Sequence, residues 1–453
     1  MKFVKSLLAT ALAVTMAGAA QGAVSPDQAA KLSATLTPVG AEKAGNADGS
    51  IPEYQGGLTT PPAGYQQGSS FRPDPFDGEK PRLVISGANA AQHADKLTAA
   101  TRELLKRFPS FRLDVYPTHR TVALPQWFLD NTAKNAVGTK SLEGGLALEN
   151  ALPGVPFPIP NDGNEAMWNH LLRYQGYALN LKFDAWNVDS AGNATLATTV
   201  NGYLEYPLYA PGLTQSAKED DLYFKTKLYY LGPARRAGEA ILVQDAVNPL
   251  KQPRRGWQYL PGQRRVKLAP DIAYDTPNPG TGGSATYDDA WVFNGAMDRY
   301  DFKLVGKKEM FVPYNTYKLN YHKTAADITT PNHLNPDLVR WELHRVWVVE
   351  ATRKPGQRHI YKNRTFYIDE DSWIALASDE YDDNGQLYRG SFAHMAYSYD
   401  VQAPNSDNHM IYDFVSGNYN INGFYGPYGG VKYIEPLSKA QWAPDSLAGT
   451  GIR

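Results

Sequence analysis

Aromatic side chains are the residues whose type and spacing most favour ligand binding in this sequence. The chain of 453 residues contains 29 Tyr, 16 Phe and 9 Trp. Large rings at alternate strand positions can line an apolar cavity, because a curved sheet has one concave face. For any single ring, ordinary packing in the core is the alternative. We predict that the following eight rings contact a hydrophobic ligand: Trp257, Tyr259, Trp291, Phe293, Phe302, Phe311, Trp341 and Trp347.

A basic stretch over residues 232–268 is the second candidate for binding. It contains eight Lys and Arg side chains against two acids. Such an excess could attract anionic lipid headgroups or an acidic partner. Because neighbouring strand residues face opposite ways, Arg264 and Arg265 could instead be separated onto two faces. The predicted surface residues of the stretch are Arg254, Arg255, Arg264 and Arg265.

Patterns typical of enzymes and metal sites are weak. The acidic runs 369–371 and 379–383 could suggest glycosidase acids or a calcium loop, but turn chemistry explains both better. The nine His residues show no paired spacing of metal ligands. The nucleophile elbow of hydrolases and the phosphate-binding Walker loop do not occur. We predict a protein that is not an enzyme and has no catalytic residues, metal or other cofactor.

Composition excludes further classes of protein. Hydrophobic residues make up 42% and charged residues 20%, so the chain can bury a core. The net charge is −1, because 45 Lys and Arg balance 46 Asp and Glu. A nucleic-acid-binding protein would carry a positive excess, so we expect no nucleic-acid partner. The sequence contains no Cys, which excludes disulfides and thiolate chemistry.

The beginning of the chain resembles a targeting signal. Lys2 and Lys5 precede an apolar run over residues 7–18, and small residues follow up to residue 23. The run is too short for a membrane span, which needs ~20 residues. Without Cys, the chain cannot carry the lipid anchor of bacterial lipoproteins. We predict a signal peptide over residues 1–23, cleaved within 19–24, and a soluble periplasmic protein that is not lipid-anchored.

The elements that must position the rings are mainly strands. Apolar and polar residues alternate over 222–230 and 341–349, and strand follows strand without long helices between them. Helices are predicted over 89–108 and 163–172, and an extended arm over about 44–80. The pattern predicts an α+β fold, in which helices pack against the concave face of a large curved antiparallel sheet. Residues 24–453 would form a single domain.

Five segments resemble one known family. They read WQYLPGQRRV (257–266), TYDDAW (286–291), YDFKLVGKKEM (300–310), LPGVPFPIP (152–160) and NEAMWNHLL (164–172). The family is known only as a domain of unknown function. By similarity to the LolA and LolB carriers, it is described as outer-membrane lipoprotein-sorting proteins. The resemblance implies a half-open barrel with an apolar cavity for acyl chains. It implies no agreed catalytic residues.

Two functions are compatible with these observations. The first is a periplasmic carrier or binding protein for a lipid, lipoprotein or other hydrophobic ligand moving between the inner and outer membranes. Because members of the family are often associated with membrane exporters, an inner-membrane exporter or an outer-membrane protein is a possible partner. The alternative is a cell-envelope enzyme or glycan-binding protein that uses an aromatic groove. Rings buried in a closed cavity would favour the carrier, whereas an exposed groove would favour the alternative.

Overall fold

Strands form most of the regular structure in the computed structural model, which describes residues 24–270 and 272–450. The predicted signal peptide lies outside the described residues. Within the described ranges, no helix reaches the length and hydrophobicity that crossing a membrane requires.

Helices are short and begin at residues suited to that position. Asp162 accepts a hydrogen bond from the backbone N–H of Glu165 at 2.9 Å, and Thr98 accepts one from Thr101 at 3.0 Å. The predicted helix over 89–108 is divided into a 3₁₀ segment, Ala90–Lys96, and an α-helix. The α-helices are α1 (Pro26–Ala29), α2 (Lys31–Ala34), α3 (Ala99–Arg107), α4 (Gln126–Gly138), α5 (Gly163–Leu171), α6 (Tyr317–Asn320) and α7 (Ala325–Ile328).

The strands belong to one sheet of 16 strands and three small two-stranded sheets within the described residues. The first half of the chain contributes β1 (Leu83–Ile85), β2 (Leu113–Val115), β3 (Lys140–Leu142), β4 (Ala147–Glu149), β5 (Ala178–Val188), β6 (Ala194–Glu205), β7 (Leu222–Gly232), β8 (Ala240–Ala246), β9 (Arg255–Leu260) and β10 (Arg265–Leu268). The second half contributes β11 (Tyr300–Pro313), β12 (Thr329–Thr330), β13 (His333–Leu334), β14 (Trp341–Arg353), β15 (Asn363–Asp369), β16 (Ala375–Tyr381), β17 (Leu387–Ala393), β18 (Ala396–Ser398), β19 (Ala403–Asn405), β20 (His409–Asp413), β21 (Tyr419–Phe424) and β22 (Lys432–Tyr433).

The large sheet is antiparallel apart from one parallel contact, between Val115 of β2 and Trp341 of β14. Its strand order is β1-β2-β14-β15-β16-β17-β20-β21-β5-β6-β7-β8-β9-β10, with β11 beside β14 and β22 beside β5. The two end strands, β1 and β10, do not pair with each other in the described part of the chain, so the sheet is open. The predicted α+β class, with a large antiparallel sheet, is confirmed.

Helices contact both faces of this sheet. Asp379 of β16 accepts hydrogen bonds from the first N–H groups of α3 and from the hydroxyl of Tyr367. The neighbouring Phe366 points the other way and packs on Phe293, whose carbonyl lies 2.9 Å from the Nε2 atom of His170 in α5. The sequence pattern predicted helices on the concave face. In detail, α3 and α5 lie on opposite faces of β15 and β16.

The segment over residues 44–80 contains no helix or strand. It is nevertheless fixed to the sheet domain by individual buried side chains. Ile51 is buried in the main core, and the guanidinium group of Arg72 binds Asp400 at 2.5 Å. Polar and apolar contacts of this kind order a chain segment that has no regular structure of its own.

A candidate ligand cavity on the β5–β8 face

Strands β5–β8 form the floor of an apolar cavity of about 100 Å³. Strand β7 shows why the sequence folds this way. Its even-numbered residues, from Phe224 to Tyr230, are threonine or apolar and face the cavity, while Lys225 and Lys227 point to the other side. The floor consists of Leu181, Phe183, Leu204, Phe224, Thr226, Leu228, Tyr230, Ile241 and Val243.

Strand register leaves space in the middle of the floor. Gly202 of β6 pairs with Leu228 on one side and with Leu181 on the other. A Cβ atom at Gly202 would lie 3.1 Å from Leu228 Cδ2 and 3.6 Å from Leu181 Cδ2. The missing side chain therefore keeps a gap between two leucines that flank the cavity.

The cover of the cavity is the segment over residues 272–294, which contributes Ile272, Tyr287 and Trp291 to its lining. Trp291 and Val292 have φ angles of 53° and 72°. Left-handed backbone of this kind is strained for residues other than glycine, above all for a β-branched one, by about 1–3 kcal/mol each. The surrounding structure holds the strain in place, since the indole Nε1–H of Trp291 donates to Asp407 Oδ1 at 2.9 Å.

A buried ionic group fixes the cover to the sheet, and we call it the aspartate clamp: Asp288 and Asp289 with His359, Arg364 and Arg389. Arg364 Nη1 lies 3.0 Å from Asp288 Oδ2, and its Nη2 lies 3.3 Å from Asp289 Oδ1. His359 Nε2 lies 2.9 Å from Asp288 Oδ2. Burial opposes ionisation of Asp288, but His359 and Arg364 outweigh it and hold the pKa of that carboxyl well below its ordinary value. The clamp therefore binds the cover as charged groups.

Glu380 lies beside the aspartate clamp and carries a proton at neutral pH. It pairs with Arg364 across β15 and β16, and its Oε2 atom is buried without a hydrogen-bond partner. Burial raises the pKa of Glu380 from 4.5 to about 8, although Arg364 opposes the shift. The stability that the neutral form contributes is therefore complete below pH 4.5 and is lost as the pH rises through about 8.

We expect the variant Glu380→Gln to remove this pH dependence, because glutamine has the same shape and stays neutral. Between pH 5 and pH 8, the unmodified protein should lose about 3 kcal/mol of its free energy of unfolding, since each unit of pKa shift corresponds to ~1.4 kcal/mol. The variant should not show this loss. Urea unfolding of both proteins at pH 5, 6.5 and 8 measures the difference. Parallel stability curves would contradict a buried neutral Glu380.

One end of the cavity is polar. It is formed by Asp407, His409 and Asn422, together with Arg254. Burial lowers the pKa of His409 to about 4, so its ring is neutral at pH 7 and its Nε2 atom lies 3.2 Å from the amide nitrogen of Asn422. Burial also raises the pKa of Asp407. Arg254 donates two hydrogen bonds to Asp245, at 2.7 and 2.6 Å, so its charge is compensated within the protein. The cavity can thus hold an apolar group with a small polar end.

Of the eight predicted rings, Trp291 lines this cavity. Trp257 and Tyr259 lie on the opposite face of the sheet, because they pair with Leu242 and Ala240. There they pack with Trp442 under the C-terminal segment. The cavity side of β9 is instead taken by Gly256, next to Ile272.

The other five rings lie in separate parts of the core. Phe293 and Phe302 pack against each other, with ring centroids 6.2 Å apart. Phe311 contacts His93, and Trp341 contacts Phe392. Trp347 stacks on Trp373 with a centroid distance of 6.0 Å. Ligand contact by the eight rings stays a prediction.

The basic stretch is less uniform than the sequence suggested. Arg255, Arg264 and Arg265 are exposed on the hairpin of β9 and β10. The side chain of Arg254 is only 10% exposed and is paired with Asp245. The prediction of Arg254 as a surface residue is therefore corrected. Arg236 is likewise paired, with Glu239 at 2.7 Å. Local acids thus neutralise part of the charge excess.

Sequence reasoning missed the floor of the cavity and the aspartate clamp. The alternation over 222–230 placed Phe224 and Leu228 on the same face of a strand. It does not indicate which face of the strand lies under the cover. Asp288 and Asp289 were visible in the motif TYDDAW (286–291). Their partner Arg364 is more than 70 positions away, so no local pattern connects the two.

Comparison with known proteins assigns this architecture to a family. Residues 84–448 match the sequence profile of the family described as Protein of unknown function (DUF1329). The chain belongs to the DUF1329 family. The family membership predicted from the motifs is confirmed. The DUF1329 chain is also 41% identical over 467 aligned positions to the uncharacterised protein PA3922 of Pseudomonas aeruginosa, with 100% of both chains covered.

Two solved structures are similar to this DUF1329 chain. One is a candidate outer membrane lipoprotein-sorting protein domain from Vibrio parahaemolyticus, with 14% identity, a TM-score of 0.42, and coverage of 63% of this chain and 97% of that one. The other is the LolA superfamily protein NE2245 from Nitrosomonas europaea, with 11% identity, a TM-score of 0.34, and coverage of 60% and 93%.

Proposed function

We propose that this protein is a periplasmic carrier or binding protein for a hydrophobic ligand, with an acyl chain as the apolar part. The observation that carries the proposal is the apolar cavity between the β5–β8 floor and the cover that contains Trp291. Each methylene of a chain that leaves water for such a cavity contributes ~0.8 kcal/mol to binding. No covalent step is part of the proposal.

Burial of the aromatic rings favours a carrier over a protein that stacks sugars in an open groove. All eight predicted rings are among the described residues: four are buried (Phe293, Phe302, Phe311 and Trp341), four are half-buried (Trp257, Tyr259, Trp291 and Trp347), and none is exposed. A sugar-stacking site needs rings that solvent can reach, because its ligand approaches from the surface. We therefore favour the carrier over the glycan-binding alternative.

The predicted signal peptide supports a place in the periplasm, and the carrier would there move its ligand between the inner and outer membranes. An inner-membrane exporter could supply the ligand, and an outer-membrane protein could receive it. The strained cover is suited to exchange, because strain of about 1–3 kcal/mol per strained residue favours its opening.

The ligand is tested by mass spectrometry of lipids extracted from the natively purified protein. We expect acyl-containing molecules at close to one per protein chain. After delipidation, the protein should bind a fluorescent fatty acid with micromolar affinity, and the emission of Trp291 should change on binding because its indole lines the cavity.

Glycans provide the comparison for this experiment. Soluble oligosaccharides of the cell envelope, added to the same delipidated protein, should leave the tryptophan emission unchanged. If no lipid co-purifies and no hydrophobic probe binds at high micromolar concentration, the carrier proposal should be dropped.

A further inference from the structure

A second group of buried polar residues lies away from the ligand cavity, at one end of β14 and β15. His344, Asp369 and Asp371 each place one nitrogen or oxygen atom within 4.8 Å of the corresponding atoms of the other two. Their side chains are almost inaccessible, with exposed fractions of 2%, 0% and 3%. Three potential metal ligands therefore converge in the interior of the protein.

His344 is held in an orientation typical of metal-binding histidines. Its ring stacks on Tyr314, with the centroids 3.6 Å apart. Its Nε2 atom lies 2.9 Å from Glu342 Oε2, so Nε2–H donates to this carboxylate and Nδ1 is the nitrogen that can accept a metal ion. A carboxylate behind the imidazole fixes the tautomer and the orientation of the ring.

Asp369 presents an oxygen without a hydrogen-bond partner. Its Oδ2 atom accepts hydrogen bonds from Tyr314 Oη at 3.1 Å, and from the backbone N–H and hydroxyl of Ser372 at 2.9 and 2.6 Å. Its Oδ1 atom is buried and has no partner. Buried polar atoms are almost always satisfied, so an unpartnered carboxylate oxygen among potential ligands indicates a missing cation or proton.

Asp371 connects the group to a second cavity. Arg120 donates to both of its oxygens, at 2.9 and 2.7 Å, and thereby fixes the carboxylate while each oxygen keeps another lone pair. Asp371 also lines a cavity of about 400 Å³, beside Tyr54, Val122 and Gln402. One of the three ligands therefore borders an open cavity, whereas His344 and Asp369 lie in the packed interior.

Asp369 is the buried acid of this group that forms no ion pair with a Lys or Arg among the described residues. Its buried neighbours Glu342, Glu370 and Asp371 are paired with Arg340, Lys307 and Arg120. A buried carboxylate without an ion pair is costly unless a counter-ion or a bound proton compensates it.

We propose that His344, Asp369 and Asp371 bind a divalent transition-metal ion, with Zn²⁺ as the ion that a nitrogen and two carboxylate oxygens favour. Three protein ligands leave a fourth position for water, on the side of the cavity at Asp371. The ion supplies a positive charge beside the unpaired Asp369 and a partner for its Oδ1 atom. No metal was predicted from the sequence, because the nine His residues show no paired spacing of metal ligands. His344 and Asp369 are 25 positions apart, so no local motif connects them.

The proposal is tested by titrating the chelator-treated mature protein with ZnCl₂ in a calorimeter. We expect one ion per chain with a dissociation constant in the micromolar range or below, and at least 30-fold weaker binding for Asp369→Asn and for Asp371→Asn. The matched control is Glu370→Gln, which changes the buried acid between the two ligands and should weaken binding less than tenfold. Elemental analysis of the protein as purified should find zinc.

Two controls distinguish a variant that fails to fold from one that has lost metal binding. Circular dichroism at each titration verifies that the variants are folded, and His344→Gln replaces any aspartate variant that is not. Absence of zinc binding below 100 µM, or binding that all three ligand variants leave unchanged, would overturn the proposal and assign a proton to Asp369 instead of a metal ion. Hydrophobic-probe binding is read out separately, so this outcome leaves the carrier proposal intact.

Discussion

Replacing Arg364 by methionine is expected to lower the free energy of unfolding by about 3–5 kcal/mol, because it leaves two buried carboxylates without their main cation. Arg364 is fully buried and binds both Asp288 and Asp289. It also donates to the carbonyl oxygen of Val292 at 3.1 Å, within the strained part of the cavity cover. Methionine has a similar length and fills the space, so the loss reports the missing charge and hydrogen bonds.

Urea unfolding at pH 7, followed by circular dichroism, measures this effect. The matched control is Lys251→Met, which breaks the exposed ion pair with Glu219 and should leave the free energy of unfolding almost unchanged. A loss below 1 kcal/mol for Arg364→Met would mean that the aspartate clamp does not hold the cover. The cover would then have to be stabilised mainly by its apolar contacts.

Replacing Leu228 by glutamate is expected to weaken the binding of a fluorescent fatty acid by roughly 30-fold, which corresponds to about 2 kcal/mol. Leu228 lines the cavity floor and is half-buried, so the new carboxylate stays hydrated in the free protein and loses this hydration when an acyl chain enters. The free energy of unfolding should change much less than the binding free energy.

The matched control is Leu231→Glu on the same strand. Leu231 is 37% exposed and is not part of the cavity lining, so a charge there should leave probe binding unchanged. A second control, Thr226→Val, removes a buried hydroxyl that has no hydrogen-bond partner and keeps the cavity apolar, so binding should persist. Equal binding by Leu228→Glu and the unmodified protein would place the ligand site elsewhere.

Sequence patterns were reliable where the information is local. The alternation over 222–230 predicted a strand, and β7 spans Leu222–Gly232. A helix was predicted over 163–172, and α5 spans Gly163–Leu171 with Asp162 as its N-cap. Hydrophobic periodicity and caps act within a few residues, so they can be read from one segment alone. Motifs over 152–310 were also sufficient to predict the family.

By itself, the sequence determined the strand-rich α+β class, the family and the alternation of each strand. Only the tertiary structure decided which face of a strand meets the cavity: pairing with β8 turns Trp257 and Tyr259 away from it and brings Gly256 to it. The same holds for charges, since Arg254 meets Asp245 only when β8 and β9 pair, and Arg364 meets Asp288 only when distant parts of the chain pack. The physical reason is that a strand's period of two defines two faces equally well, and long-range pairing chooses between them.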